Sequence, residues 1–243
     1  MISLIDGDII AYRNAAATGD DSVEFALIGC DRMIQNILQV TEADSYKIFL
    51  SGSGNFRYDI NPDYKANRKD IVRPQHLQAC REFLIDNYNA QLCHGFEADD
   101  MLGIEQDKRG TRFGRLDDAY SPTNLEIHTI YDTVICSIDK DLLQIPGYHY
   151  NFVKNEFKTV DPIEGIRHFY KQMLIGDRAD NLFGVDKIGP VKAGKLLDHI
   201  TSEKEMMKIV CTLYNDADRF QMNADCFWVM HQLGEMWTDR VIP

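Results

Sequence analysis

The chain has 243 residues, 44% of them hydrophobic and 26% charged, with a formal net charge of −12. That length allows one large domain, or a domain with a small appendage, around a sizeable core. No apolar run reaches the eighteen or more residues of a membrane span, and the N-terminus lacks a basic region followed by an apolar stretch, so a cytoplasmic protein with no membrane partner is expected. The six cysteines (Cys30, Cys80, Cys93, Cys136, Cys211 and Cys226) are scattered without a CxxC pair, which argues for reduced thiols and against a disulfide framework or a zinc site.

The elements follow from hydrophobic periodicity. Ile2 to Ile5 reads as a buried strand ended by Asp6-Gly7. Residues 23–40 carry Val23, Leu27, Met33, Ile34, Ile37 and Leu38 at helical spacing. Tyr46 to Leu50 reads as a second strand, broken by Ser51-Gly52-Ser53-Gly54. A helix is predicted over 75–88 after Pro74, a short strand over Ala90 to Cys93, and a helix from Glu97. Residues 108–124 are polar, contain Gly110, Gly114 and Pro122, and read as a loop or insertion. Thr133 to Ser137 is the clearest strand, Tyr148 to Val153 a further one, and 162–173 a helix. Strands alternating with helices predict an α/β fold with a central, mostly parallel sheet flanked by helices.

Acidic clusters follow several of these strands. They are Asp6-Gly7-Asp8, Glu97-Ala98-Asp99-Asp100, Ser137-Ile138-Asp139-Lys140-Asp141 and Gly176-Asp177-Arg178-Ala179-Asp180-Asn181. Ligands of open α/β sheets bind at that edge, so distant acids can converge there. Acids at a helix start also act as plain caps, and that reading has even weight for Glu97 to Asp100. It does not explain the second group after Val134-Ile135-Cys136. Nine carboxylates (Asp6, Asp8, Glu97, Asp99, Asp100, Asp139, Asp141, Asp177 and Asp180) would repel one another strongly, and two divalent cations would relieve that repulsion and activate water against a phosphodiester.

The segment from Arg57 to Arg81 has the opposite charge, with six basic residues (Arg57, Lys65, Arg68, Lys69, Arg73 and Arg81) against three acids. It reads either as a solvated surface stretch or as a face for a polyanion. Lys65 and Arg68 are three apart and would share a helix face; Tyr64 would point elsewhere and stack on an unpaired base. Further on, Gly184 to Leu197 reads as helix, glycine-bearing hairpin and helix. Gly189 would give a tight turn, and Lys192 and Lys195 would add charge beside backbone N–H groups able to hold a phosphate. The plainer alternative is a connection between two packing helices.

Taken together, these segments resemble the 5′-nuclease (flap endonuclease) family, most of all the stand-alone phage 5′-to-3′ exonucleases. Ile5-Asp6-Gly7 is similar to its first acidic motif, and Asn61-Pro62-Asp63-Tyr64-Lys65-Ala66-Asn67-Arg68 to its Pro-x-Tyr-Lys-x-x-Arg motif. The three later acidic clusters follow in family order, and Gly184 to Leu197 resembles its helix-hairpin-helix duplex-binding element. The resemblance implies a PIN-like nuclease core over 1–175, with a basic arch-like segment near 55–80, and a C-terminal helical region over 176–243. It implies one metal group at Asp6, Glu97, Asp99 and Asp100 and another at Asp139, Asp141, Asp177 and Asp180, with Lys65 and Arg68 on the scissile phosphate. It implies that Asp139 and Asp177 are catalytic acids beside Lys65 and Arg68. Arg57, Tyr64, Lys65, Arg68, Lys69, Gly189, Lys192 and Lys195 would contact nucleic acid. The family often has an acid after its second strand; here Ser51 stands in that place, with Asp8 as the substitute ligand.

The cofactors implied are two Mg2+ ions, replaceable by Mn2+, and K+ at the hairpin. The implied partners are DNA with 5′ ends or flaps, RNA–DNA hybrids, and replication proteins acting in trans, since no polymerase-sized region follows the motifs. The compartment would be the host cytoplasm for a phage-encoded chain. Two rival readings are a haloacid dehalogenase-like phosphatase using Asp6-x-Asp8, and a non-catalytic DNA-binding protein that has lost a metal site at Ser51.

Overall fold

The structure, a computed structural model, describes residues 1–116 and 125–242, and for 111–116 and 125–130 their backbone alone. β1 (Ile2–Asp6) runs directly into α1 (Gly7–Thr18), then α2 (Val23–Thr41), β2 (Ser45–Ser51) and the one-turn α3 (Arg57–Ile60). Next come α4 (Leu77–Tyr88), β3 (Gln91–Cys93), α5 (Ala98–Lys108), β4 (Gly110–Leu116) and β5 (Leu125–Tyr131). The chain continues through β6 (Thr133–Cys136), β7 (Gly147–Asn151), β8 (Glu156–Val160) and α6 (Pro162–Ile175). A minimal pair, β9 (Gly176–Asp177) and β10 (Leu182–Phe183), precedes α7 (Pro190–Leu197), α8 (Glu203–Tyr214) and α9 (Ala217–Phe227).

The main sheet has the order β3-β2-β1-β6-β7-β8, and every neighbouring pair is parallel except β7 with β8. From β1 the chain steps outward to β2 and β3, then returns to the other side of β1 as β6. The strand order therefore reverses between β1 and β6, which opens a crevice at their C-terminal ends. β1 can occupy the centre because Leu4 and Ile5 are fully buried on opposite faces, the continuous apolar run of a parallel strand covered on both sides.

On one face α1, α2 and α4 enclose Ile5, Ile10, Ile34, Ile48 and Leu84; α2 buries Ala26, Cys30, Ile34, Ile37 and Thr41, a single helical stripe. On the other face, α5 lays Ala98 and Leu102 against Leu4, Phe49 and Ile135. A third cluster joins α6 to α7, α8 and α9 through Phe169, Met173, Leu197, Val210 and Phe227. Three of these helices start on side-chain caps: Asp161 before α6, Ser202 before α8 and Asp216 before α9. Among the described residues no helix is long and apolar enough to cross a membrane.

Two expectations change. The 108–124 loop is in part a strand, because β4 pairs antiparallel with β5 from Gly110 opposite Tyr131 to Leu116 opposite Leu125; residues 117–124 lie outside the described residues. The 184–197 segment contains one helix, not two. Residues 184–189 form a turn, and the helix before it is α6, separated by β9 and β10. Within that turn the left-handed residue is Lys187 at φ 60, whereas Gly189 is extended at φ −104 and an added Cβ would meet no atom within 4 Å. The tight turn thus does not depend on Gly189.

Candidate active site

Asp6 closes β1 and caps α1, its Oδ1 accepting the Ile9 N–H at 3.1 Å. The Ile5–Cys136 register sets Ser137 beside it, and the Ser137 hydroxyl donates to Asp6 Oδ2 at 2.7 Å. The same hydroxyl accepts the Asp139 N–H at 3.0 Å, and Asp139 Oδ1 accepts the Asp141 N–H at 2.8 Å. Glu97 caps α5 in a reciprocal box with Asp100, so Asp99 in the first turn points toward the same crevice. Asp177 and Asp180 arrive from the β9–β10 connection. The result is a pocket of about 890 Å³ lined by Asp6, Asp8, Glu97, Asp99, Asp139, Asp141, Asp177 and Asp180, and bordered by Lys65, Arg68, Lys69, Arg73, Arg81 and Lys140.

The basic motif and the last acidic motif form one structural unit. Lys65 N donates to Asp180 O at 2.9 Å, Arg68 Nε to Ala179 O at 2.9 Å, Asn67 Nδ2 to Arg178 O at 2.7 Å and Asn181 Nδ2 to Asp63 O at 2.9 Å. Lys65 Nζ lies 2.5 Å from Glu97 and 3.8 Å from Asp180, and Arg68 lies 2.5 Å from Asp180. These two cations converge on one carboxylate although they do not share an α-helix: Lys65 is left-handed at φ 54 and precedes a 3-10 turn over Ala66–Arg68.

Burial and charge together set the protonation of the pocket. Burial, with Asp8 and Asp139 nearby, pushes Asp6 up to about 7 against the bond from Ser137. Burial and the charge of Asp139 push Asp141 up to about 7. Asp99 is held well above the usual carboxylate range by burial and then by Asp6, Asp139 and Glu97. Burial also raises Asp180, more than Lys65 and Arg68 lower it. Glu97 goes the other way: burial alone would raise it, but Lys65 and Arg57 bring it below its ordinary value. Asp177 is also lowered, since the Lys140 ammonium at 2.8 Å and the Ala179 N–H at 2.7 Å outweigh burial.

Among the described residues, no group of three or more His, Cys, Asp or Glu side chains is arranged to hold a metal ion. Asp8, Glu97, Asp177 and Asp180 are held by Arg81, Lys65, Lys140 and Arg68, whereas Asp6, Asp99 and Asp141 are raised by burial and neighbouring carboxylates. The donor set nevertheless fits hard divalent cations, because it is all oxygen and gathers eight carboxylates in one pocket.

Several assignments need correction. Asp100 is fully buried and turned away from the pocket, its two oxygens paired with Arg57 at 2.7 and 2.9 Å and accepting the N–H groups of Glu97 and Met230, so it has no role as a metal ligand. Arg57, 3% exposed, is spent on Asp100 and on the carbonyls of Cys226 and Trp228; it is not a contact for nucleic acid. Tyr64 is 2% exposed, packed in the cluster of α6 to α9, with its hydroxyl donating to Glu97 and Asp180 at 3.2 Å; it cannot stack on a base. Asp8 lines the pocket, but Arg81 pairs with one oxygen and the Ser51 N–H donates to the other at 2.8 Å. That lock also weighs against a phosphatase using Asp6-x-Asp8. Lys192 and Lys195, expected at the duplex and not in the pocket, are exposed on α7 outside it and need no correction. The sequence reading did not single out Ser137, Lys140, Tyr58 or Arg81 for the site. The first two lie within the quoted Asp139 motif, and Arg81 was counted only as one of six basic residues.

No protein-family model matches the chain. It is 26% identical over 243 residues to a 5′-3′ exonuclease of Buchnera aphidicola, covering 90% of this chain and 75% of that protein. It also matches bacterial DNA polymerases I, of which it spans about a quarter, as in that of Caldicellulosiruptor bescii (28% identical over 230 residues, 84% of this chain and 25% of the polymerase). In fold it is similar to a zinc-bound 5′-exonuclease of bacteriophage T5, with a TM-score of 0.67, 15% identity, and 93% of this chain and 88% of that one covered.

Proposed function

This chain is a member of the 5′-nuclease family, and from that premise we propose that it hydrolyses phosphodiesters near the 5′ ends of DNA with the help of Mg2+. The observation that carries this reading is the convergence of eight carboxylates at the β1–β6 switch point beneath a rim of lysines and arginines. Acids alone would repel a phosphodiester; acids that hold cations beneath a basic rim attract one.

Asp6, Glu97, Asp99 and Asp139 are the residues proposed to hold one ion, and Asp141, Asp177 and Asp180 the other, with Mn2+ as a substitute. Such ions, when bound, supply water activation and stabilisation of the leaving oxygen. Lys65 and Arg68, fastened to the 177–181 segment by backbone bonds, supply positive charge at the reacting phosphate. Ser137 orders Asp6 and Asp139 by bonding to both. The basic stretch Lys65 to Arg81 receives a 5′ single-stranded segment, and α7, with Lys192 and Lys195 at its exposed side, receives the duplex, with K+ at the 184–189 turn. RNA–DNA hybrids and replication proteins acting in trans belong to the same proposal, as does division into a nuclease core and a helical region.

The test is single-turnover cleavage of end-labelled 5′-flap, blunt and 3′-flap DNA, in Mg2+ and in EDTA. The 5′ flap should be cut fastest and only in Mg2+. Lys65→Ala should slow that step far more than it weakens DNA binding, because a charge aimed at the reacting phosphate acts mainly in the transition state. Preference for the 3′ flap, or an unchanged rate for Lys65→Ala, would overturn the reading.

A further inference from the structure

Beside the acidic pocket lies a second cavity of about 680 Å³, and the two share a wall formed by Ser51, Tyr58, Arg73, Leu77, Arg81 and Glu97. Across that wall the charge reverses. The first pocket has eight carboxylates, whereas Glu97 is the one acid among the described residues lining the second. Even that carboxylate is engaged by Lys65 and Tyr64. Arg73 and Arg81 are the cations of the second cavity, and its other polar groups are hydroxyls, amides and backbone. A cavity of this size accommodates a ligand on the scale of a nucleotide.

Arg81 is fixed in place. One terminal nitrogen pairs with Asp8 and the other donates to the Ser51 carbonyl at 2.5 Å, while the Ser51 N–H holds Asp8 from the far side at 2.8 Å. A guanidinium has five N–H donors, and these bonds leave Nε without a partner among the described residues. Arg73 is exposed and has no ion pair among the described residues. Tyr58 is 48% exposed and sits edge-on against the buried Tyr64, ring centroids 5.7 Å apart, so it offers the open aromatic face that Tyr64 lacks.

Resting on the nuclease reading, we propose that the second cavity is a nucleotide subsite. In it Arg81 and Arg73 hold a phosphate of the strand end that leaves the acidic pocket, and Tyr58 stacks on the adjoining unpaired base. The phosphate is either a 5′-terminal monoester or the diester of a longer overhang. Arg81 is well suited to this because its orientation is set before any ligand arrives, which reduces the ordering a phosphate contact requires. Asp8 serves as its positioning partner.

Fluorescence anisotropy in EDTA tests this with labelled hairpin duplexes of three kinds: a blunt 5′-hydroxyl end, a blunt 5′-phosphate end and a one-nucleotide 5′ overhang. The parental protein should bind the phosphate end, the overhang, or both, about five-fold or more tighter than the hydroxyl end. Preference for the first alone assigns the monoester, and preference for the second alone the diester. Arg73→Ala, at a surface position that does not hold the fold, and Arg81→Gln should each move the ratio toward one. Tyr58→Ala should weaken only the overhang, the one probe with an unpaired base. A parental ratio of one, or equal losses on all three probes for Arg73→Ala, overturns the subsite. If the parental protein cuts 5′ flaps in Mg2+ yet shows a ratio of one, the subsite alone fails; if it cuts no flap, the nuclease reading fails.

Discussion

At the start of α5, Asp99 faces the acidic pocket and Asp100 faces the seam between the sheet and the C-terminal helices. The two regions handle charge in opposite ways. In the seam, charges are matched: Arg57 and Asp100 form a two-pronged pair, and their spare donors and acceptors go to the Cys226 and Trp228 carbonyls and the Met230 N–H. In the pocket, like charges crowd together, and Asp6, Asp99 and Asp141 are raised by burial and then by neighbouring carboxylates, Asp139 among them in each case. A matched buried pair fixes how two structural units meet; an unmatched cluster retains a capacity to bind cations. Neighbouring acids on one helix turn thus differ in what surrounds them, not in residue type.

The largest expected effect breaks the pocket side of this comparison. Asp139→Asn or Asp177→Asn should lower turnover in Mg2+ by several orders of magnitude, with duplex binding kept or tightened because repulsion with phosphate falls. Near-parental cleavage by either variant at matched protein concentration would remove that residue from the site.

The seam should respond in stability instead. Asp100→Asn leaves the Arg57 guanidinium buried without its counter-ion and should cost about 3–5 kcal/mol in urea unfolding. Replacing both members with apolar residues should restore much of that. A loss under about 1 kcal/mol for the single variant would show that the seam tolerates the unpaired charge.

A smaller effect comes from the sheet. His149 is buried, bonds the Ile145 carbonyl through Nε2 at 2.8 Å, and is pushed by burial down to about 4. The unfolded chain takes up this proton near pH 6.5 and the folded chain only near 4, so His149 lowers stability as pH falls through that window and has no further effect below it. That window corresponds to about 3 kcal/mol. The raised pocket acids act with the opposite sign, so the comparison must be between parental protein and His149→Gln. The variant's unfolding free energy should decline less between pH 6.5 and 4.5; identical slopes would contradict the assignment. The smallest effect is at the 184–189 turn. Gly189→Ala should change stability by less than about 0.5 kcal/mol, since the added Cβ meets open space and the backbone there is extended.

Much of this architecture was legible in the sequence because it rests on local pattern. β1, β2 and β6 are short, largely apolar runs ended by polar or glycine residues, and α2 shows a clear stripe. α1 was not foreseen: it starts on the residue after β1, with Asp6 both ending the strand and capping the helix, so no turn separates the two. The acidic clusters were legible as candidates because three follow strands or start a helix that lines the crevice. Their division into pocket and seam was not, because it depends on Arg57, Cys226 and Trp228, which are remote in sequence from Asp100. Tyr64 and Arg57 have the composition of surface ligands, yet tertiary partners bury both; Tyr58, six residues before Tyr64, retains the exposed ring.

The central claim is that the unmatched carboxylates of the pocket serve chemistry at some expense of stability, and Asp99→Asn tests it most directly. Asp99 has no hydrogen bond or ion pair among the described residues and is surrounded by Asp6, Asp139 and Glu97. The measurement is the single-turnover rate on a 5′-flap duplex in Mg2+, made on the same preparation as the thermal midpoint in EDTA. The rate should fall by orders of magnitude while the midpoint stays level or rises. A rate within a few-fold of the parental protein, or a lowered midpoint, would contradict the account.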